Sequence, residues 1–496
     1  MSDISKLEGL PRGTQLLLRG DQLIAVPDAI ADRFVKGDAV VISERTEEVL
    51  LIAAAERRVA HEAVSRALDA FAIVRSTPDE SIARFFEGFA GRLADDEIWR
   101  AIEQANAGDV ASAKQRGRST TRLSTSEAMR RDMIEGLRGW NAAPSRRGQV
   151  LETVQHAGFR TELVGAALGV VAFVFEGRPN VLADATGVLR SGNTVVLRIG
   201  RDALGTALRI MELALRPALC EAGLPEHSVG LLESTEHASG WALFGDKRLA
   251  LAVARGSGPA VATLGSLAQQ AGVPVSLHGT GGAWVVTSSS TDLQQLEAVV
   301  RGSLDRKVCN SLNVLCVVRE HAAAQLAAAL RGIASAAEAR GRAFKLHVVR
   351  GSEAYVPSEL FTRQVEIARA GGPVQELQAE LLDERELGRE WEWEDSPELS
   401  LVVVDSVAAA VALFNRESPQ FIASLLSSDA DEQQSFYDDV NAPFVGDGIT
   451  RWVDGQKALS KPELGLSNWQ FGRLFGRGGI LTGDGVLTVR TRAVST

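Results

Sequence analysis

The sequence predicts an α/β protein built on doubly wound parallel sheet, and three observations carry the prediction. Apolar runs without alternation, ALGVVAFVF (167–175) and TVVLRIG (194–200), read as strands buried on both faces. Each is followed by a stretch of helical composition, ADATGVLRSG (183–192) and ALGTALRIMELALRPAL (203–219). The same rhythm recurs in ALAVARGSG (250–258) and VATLGSLAQQAG (261–272), the pattern of parallel strands joined by crossover helices.

Taken in order, residues 1–52 stand apart. The short apolar runs Gln15-Leu16-Leu17-Leu18, Ala39-Val40-Val41-Ile42-Ser43 and Val49-Leu50-Leu51-Ile52, punctuated by Gly-Asp pairs, predict a small β-rich extension. From about 53 to 145 the composition turns to Ala, Glu and Arg, and HEAVSRALDAFAIV places apolar residues at helical spacing. VLETVQHAGFRTELV (150–164) alternates around Ala157-Gly158 and predicts a hairpin. Gly192 is placed to cap the helix of 183–192. Further on, GAWVVTS (282–288) and NVLCVVR (313–319) read as strands flanking LQQLEAVVRGSL, and LSLVVVDS (399–406) starts a third such unit. Residues 321–345 read as helix, and the acidic QELQAELLDERELGREWEWED (375–395) as a surface helix or excursion.

Bulk properties narrow the function. A chain of 496 residues exceeds the size of one core, so at least two domains are expected. A formal charge of −10 lacks the basic surplus of a nucleic-acid binder. Three cysteines are too few for a disulfide framework, and no Cys/His spacing points to a metal. The N-terminus lacks a signal-like apolar core, and no apolar run reaches the ~18 residues of a membrane span. A cytoplasmic setting is expected, with neither membrane nor nucleic acid as partner.

The candidate chemistry sits in short polar islands. In RKVCNSLNVLCV (306–317), Cys309 stands between Arg306-Lys307 and Asn310-Ser311, where nearby cations favour a thiolate; a core thiol is the other reading. Ligands of doubly wound sheets bind beyond the carboxyl ends of the strands, which draws attention to FEGRPN (175–180), with Arg178 and Asn180 around a proline. An Asn amide is a good oxyanion donor, although Asn in such a turn also serves structure alone. Arg198 and Arg201 bracket Gly200 and suit a ribose 2′-phosphate, unless Asp202 simply matches them. Gly256 and Gly258 in ARGSGPA open a helix where backbone N–H groups can meet a pyrophosphate; a plain turn is the alternative.

Together VFEGRPNV (174–181), SGNTVVLRIGRDA (191–203), VCNSLNVLCV (308–317), TRWVDG (450–455), ELGLS (463–467) and RLFGRGGI (473–480) occur in an order that resembles the γ-glutamyl phosphate reductase (glutamate-5-semialdehyde dehydrogenase) family of the aldehyde dehydrogenase superfamily. The resemblance covers roughly residues 100–490. It implies an aldehyde dehydrogenase-like fold: a Rossmann-like NAD(P)-binding domain (53–275, hairpin about 150–164), an α/β catalytic domain (276–430), and a C-terminal substrate-loop and oligomerisation segment (431–496). By this resemblance Cys309 is the nucleophile and forms a thioester, and Asn180 helps hold the oxyanion. Arg198, Arg201, Gly256 and Gly258 meet the cofactor, and Glu394 (or Glu392) positions the nicotinamide ribose. The two arginines favour NADPH over NADH.

In VSLHGTGG (275–282), Leu277 stands where acid-forming relatives carry a glutamate that activates water, which favours reduction of an activated carboxylate such as an acyl phosphate. Arg178, Gln420, Phe421 and Arg451 are candidates on the substrate side. Gln420-Phe421-Ile422 replaces a His-rich polar stretch of the family, and Leu304-Asp305-Arg306-Lys307 also departs from it. Those departures open an alternative: a carboxylic acid reductase component acting on an aromatic or other apolar acyl group, with an acyl-activating partner; residues 1–52 could dock that partner, or serve solubility or an oligomer contact. A non-catalytic binding subunit that keeps the fold is the remaining alternative. The resemblance also implies a homo-oligomer.

Overall fold

A computed structural model describes residues 6–118, 120, 123–175, 177–369, 371–454, 458–470 and 473–495. Glu176 and Gly455, which belong to two of the motifs above, lie outside the described residues. The chain divides into two compact units: Met1–Gly279 with Leu459–Gly465 and Ile480–Thr496, and Thr280–Ala458 with Leu466–Gly479.

The first unit is organised on a five-stranded, all-parallel sheet in the order Val275–His278, Leu251–Arg255, Val170–Phe175, Thr194–Ile199, Val229–Leu231. Every residue of Val170–Phe175 and Thr194–Ile199 is buried, as the unbroken apolar runs require. The helix beginning at Val181 tightens into a 3-10 turn and ends at Gly192, whose φ of 78° is the left-handed cap expected there. The helical section is present as Ala54–Val74, Asp79–Ala94, Asp96–Gln115 and Glu127–Ala142. Their apolar faces enter the cores on the two sides of the sheet.

Residues up to 52 form two antiparallel strand pairs, Gln15–Leu18 with Gln22–Ala25 and Ala39–Ser43 with Glu48–Ile52. This piece is fastened to the helix Gly258–Gln270: Gln270 Nε2 donates to the Ile42 carbonyl at 2.9 Å, and Thr263 Oγ1 donates to Glu48 at 3.1 Å. The predicted hairpin is Val150–His156 with Phe159–Ala167, and Leu487–Ser495 pairs as a third antiparallel strand along its second arm.

The second unit holds a seven-stranded parallel sheet in the order Ala379–Leu382, Lys345–Val349, Glu398–Val404, Leu312–Val318, Ala283–Thr287, Ile422–Leu426, Phe444–Gly446. The helices Leu293–Ser303, Ala322–Glu338 and Val407–Glu417 cover it. The acidic stretch 375–395 is not a helix. It completes the hairpin Gln364–Arg369/Gly372–Leu377, adds the edge strand Ala379–Leu382, and continues through one 3-10 turn. Its charges are matched across strands rather than along a helix face. Glu376 meets Lys345 at 2.5 Å and Arg369 at 2.7 Å, and Glu380 meets His347 at 3.0 Å. Arg369, first among these, holds the Glu376 carboxyl down to about 2.

Candidate active site

Cys309 lies in the turn that feeds the strand Leu312–Val318, at the amino end of the second sheet. The rule that places ligands beyond the carboxyl ends of strands therefore does not find it. What defines this position is bracing. Val308 N–H donates to Ser311 Oγ at 2.9 Å, and that hydroxyl donates to the Arg306 carbonyl at 2.6 Å. Asn310 Nδ2 donates to the Val453 carbonyl at 2.6 Å, and Thr450 Oγ1 donates to the Asn310 carbonyl at 2.7 Å. Gly282 N–H donates to the carbonyl of Cys309 itself at 2.7 Å. The polar residues flanking Cys309 thus hold the turn. The other two thiols differ: Cys220 is exposed on a helix, and Cys316 is buried mid-strand, where desolvation pushes its thiol far up.

The Gly-Gly pair preceding Ala283 makes the second side of this turn. A Cβ on Gly281 would lie 2.6 Å from the Cys309 carbonyl oxygen and 2.7 Å from its Cα, so only glycine lets the two loops approach. Glu390 ties them further. It accepts the Gly281 N–H at 2.5 Å through one oxygen and the Lys307 ammonium at 2.5 Å through the other. Lys307 is nearly buried, with 6% of its side chain exposed, so the pair is sheltered from solvent screening. Glu390 was not legible in the sequence, because its partners lie 83 and 109 residues away. The one available signal was Lys307, a cation beside an apolar strand that needs a counter-ion.

In the first unit, the loops at the carboxyl ends of the strands carry the remaining candidates. Arg198 is 5% exposed; its Nη2 donates to the Thr235 carbonyl at 3.3 Å, and its Nε is buried without a partner among the described residues. Arg201 is exposed, and its guanidinium has no partner among the described residues, because Asp202 pairs with Arg116 instead. The alternative in which Asp202 neutralises both arginines therefore fails. His237 joins this basic region; burial, then the neighbouring Arg198, holds its imidazole below the usual value, with Arg118 adding to the effect. Gly256 N–H donates to the His278 carbonyl at 3.2 Å, and Gly258 opens the helix Gly258–Gln270 without a side-chain cap. A Cβ on Gly279 would come within 3.2 Å of the Gly258 Cα, so this turn too is closely approached.

Asn180 precedes the helix Val181–Thr186, and its side-chain amide makes no cap hydrogen bond. Arg178 lies near the Asp184 carboxyl on that helix, together with Glu463 and Arg255, the last two paired at 2.9 Å. Burial, then Glu463, pushes Asp184 up to about 8, against the pull of both arginines. Leu277 points into the core, where its Cδ1 would lie 2.4 Å from a Cβ on Gly265 of the covering helix. Its neighbour His278 therefore faces the other side of the strand.

The substrate-side candidates are largely engaged within the second unit. Arg451, 3% exposed, donates from Nε to Asp305 at 2.6 Å and from Nη1 to Asn310 Oδ1, which makes it a brace of the nucleophile turn. Gln420 adopts φ 54°; its Nε2 donates to the Asn415 carbonyl at 2.8 Å and its Oε1 accepts from the Trp469 indole. Phe421 is buried edge-on to Phe444 at 5.5 Å. Glu394 is half-buried on the segment between Glu390 and the strand Glu398–Val404.

A parallel sheet ending in a basic, glycine-lined rim and a second parallel sheet with a braced cysteine define an α/β protein of aldehyde dehydrogenase-like fold. The profile of the aldehyde dehydrogenase family matches residues 35–339, and the chain belongs to that family. Its curated relatives include the γ-glutamyl phosphate reductase of Rhodopirellula baltica, 29% identical over 75% of this chain and 80% of the relative. That of Rhodopseudomonas palustris is 30% identical over the same shares. Among solved structures, the γ-glutamyl phosphate reductase of Thermotoga maritima superposes with a TM-score of 0.75 at 22% identity, covering 88% of this chain and 98% of that one. An engineered glycolyl-CoA reductase with bound NADP+ superposes at 0.59 with 15% identity, covering 88% and 96%.

The family implies a nicotinamide dinucleotide, and the first unit fits it. The buried Arg198, with its Nε unpaired among the described residues, and the helix start at Gly258, which has no side-chain cap, both offer donors to an anionic, hydroxyl-bearing ligand.

Proposed function

We propose that the protein reduces an activated carboxylate, an acyl phosphate in the leading case, to an aldehyde through a thioester on Cys309. The observation that carries this reading is the bracing of the Cys309 turn by Gly281, Gly282, Ser311, Asn310 and Arg451, which fixes one thiol of three in place. The Cys309 thiolate attacks the acyl carbon, and phosphate leaves with the electron pair of its bond. The Asn180 amide is assigned to the oxyanion that develops. When bound, the reduced nicotinamide supplies the hydride. Cys309 then leaves as thiolate, and the aldehyde is released. Leu277 is turned into the core, so its position brings no water-activating group to the thioester.

NADPH is the proposed cofactor, supported by Arg198, Arg201 and Arg118 near His237. Glu394 is assigned to the nicotinamide ribose by the family resemblance alone. A homo-oligomer is proposed through the three-stranded sheet, whose strand Val150–His156 is exposed along its whole length. Among the described residues no helix is long and apolar enough to cross a membrane. The apolar-acyl alternative loses its main residues, since Gln420 and Phe421 are taken up in packing and internal hydrogen bonds.

The test is oxidation of an aldehyde panel with NADP and phosphate, comparing glutamate-5-semialdehyde with aromatic and aliphatic aldehydes. Phosphate-dependent NADPH formation is expected. Turnover that ignores phosphate, or that ends in free acid, would count against the proposal.

A further inference from the structure

Apart from the nucleophile turn, the second unit concentrates unsatisfied polar groups on a short hairpin and the residues flanking it, 468–477. Trp469–Gln470 pairs antiparallel with Arg473–Leu474. Asn468 braces the segment beyond the hairpin: its carbonyl accepts from the Phe475 N–H at 2.8 Å, and its Nδ2 donates to the Arg477 carbonyl at 2.6 Å. The Trp469 indole anchors the hairpin to Gln420. Arg477 is therefore positioned through its backbone, leaving its charge uncommitted.

That charge lacks a counter-ion among the described residues. Arg477 Nε and Nη2 are buried and have no partner there, and Nη1 makes only a long donation of 3.4 Å to the Gly478 carbonyl. Burial pushes the guanidinium down to about 10. On the hairpin itself, Gln470 is 4% exposed, yet neither its Oε1 nor its Nε2 is bonded to a described residue. Burying such groups unpaired is unfavourable, most of all for a cation. Nε–H and Nη2–H lie on one edge of the planar guanidinium and point the same way, at the spacing of two oxygens of a carboxylate or phosphoryl group.

We propose that this edge of Arg477, with the Gln470 amide, forms an oxyanion subsite that takes two oxygens of the substrate, from its phosphoryl group or from a carboxylate on its acyl chain. Assigning the anion to the substrate rests on the proposed reduction; anion binding itself does not. Full-length protein, Arg477→Gln and Gln470→Leu are titrated by calorimetry with inorganic phosphate and with glutarate, at ionic strength fixed with chloride. One of the two anions is expected to bind, and Arg477→Gln to weaken it about tenfold or more, as loss of a bidentate charged contact requires. Phosphate as the ligand identifies the phosphoryl group as the source, and glutarate identifies a remote carboxylate. Gln470→Leu keeps the cation and is expected to weaken binding several-fold, which decides the matter should Arg477→Gln fail to fold. The inference is overturned if neither anion binds the parent above the chloride background, or if both variants bind as the parent does. The titration needs no turnover, so an inactive enzyme would refute the proposed reaction and leave this result standing.

Discussion

Replacing Gly281 by alanine tests whether the bracing of Cys309 matters for chemistry. The added Cβ would sit 2.6 Å from the Cys309 carbonyl oxygen, 2.7 Å from its Cα and 2.8 Å from its Cβ, whereas ordinary contact begins at 3.4 Å. One loop must therefore move by roughly 0.8 Å. The atoms approached are backbone, and Gly282 N–H also ties the loops at 2.7 Å, so the strain falls on the nucleophile turn. Overpacking of this kind costs about 1–3 kcal/mol, a fall in Tm of about 2–4 °C per kcal/mol for a domain of this size. A misplacement near 1 Å costs about 100-fold in rate. The assay pairs kcat for phosphate-dependent aldehyde oxidation with thermal melting. Gly371→Ala is the control, since a Cβ there meets nothing within 4 Å. Gly281→Ala with kcat within twofold of the parent would refute the reasoning. A fall in Tm without a fall in kcat would confine it to stability.

Arg201→Ala should raise KM for NADPH about tenfold or more while leaving KM for NADH within twofold, because only the 2′-phosphate loses a charge partner; equal effects on both coenzymes would exclude that role. Leu277→Glu places a carboxylate in the core against Gly265, so it should destabilise the protein by roughly 3 kcal/mol or more without producing free acid, read by melting and product analysis. A stable variant that hydrolyses the thioester would show that position 277 faces the site. Asp184 is raised to about 8, so between about pH 4 and 8 the native state holds a proton that the unfolded chain has released. Its contribution is full below the unfolded value and is lost as pH rises toward 8. Asp184→Asn should therefore gain stability relative to the parent from pH 5 to pH 8 in denaturant titrations, and a difference independent of pH would contradict the assignment.

Val170–Phe175, Thr194–Ile199, Leu251–Arg255, Ala283–Thr287, Leu312–Val318 and Glu398–Val404 were legible because buried parallel strands need unbroken apolar runs, and the first two are buried at every position. The other strands of the two sheets, Lys345–Val349 and Ile422–Leu426 among them, were not read. The braced turn around Cys309 was marked in the sequence by Asn310 and Ser311, polar residues at the mouth of an apolar strand whose side chains hold it. Other features depend on where the fold brings distant residues. The acidic stretch read as a helix became hairpin and edge strand because its glutamates answer Lys345, His347 and Arg369 on neighbouring strands. Gln420 and Phe421, marked for substrate because they depart from the family pattern, are absorbed by Asn415, Trp469 and Phe444. Glu390, reaching Gly281 and Lys307, left no local trace in the sequence. The resemblance pointed to the position of Leu277 but not to its direction, which packing against Gly265 sets.

The central claim is that Cys309 carries the acyl group. Protein mixed with an acyl phosphate in the absence of cofactor, quenched in acid and measured by intact-mass and peptide spectrometry, should gain the mass of one acyl group on the peptide containing Cys309. Addition of NADPH before the quench should discharge that adduct as aldehyde, and Cys309→Ala should form none. An adduct on Cys220 or Cys316, or turnover that persists in Cys309→Ala, would contradict the account.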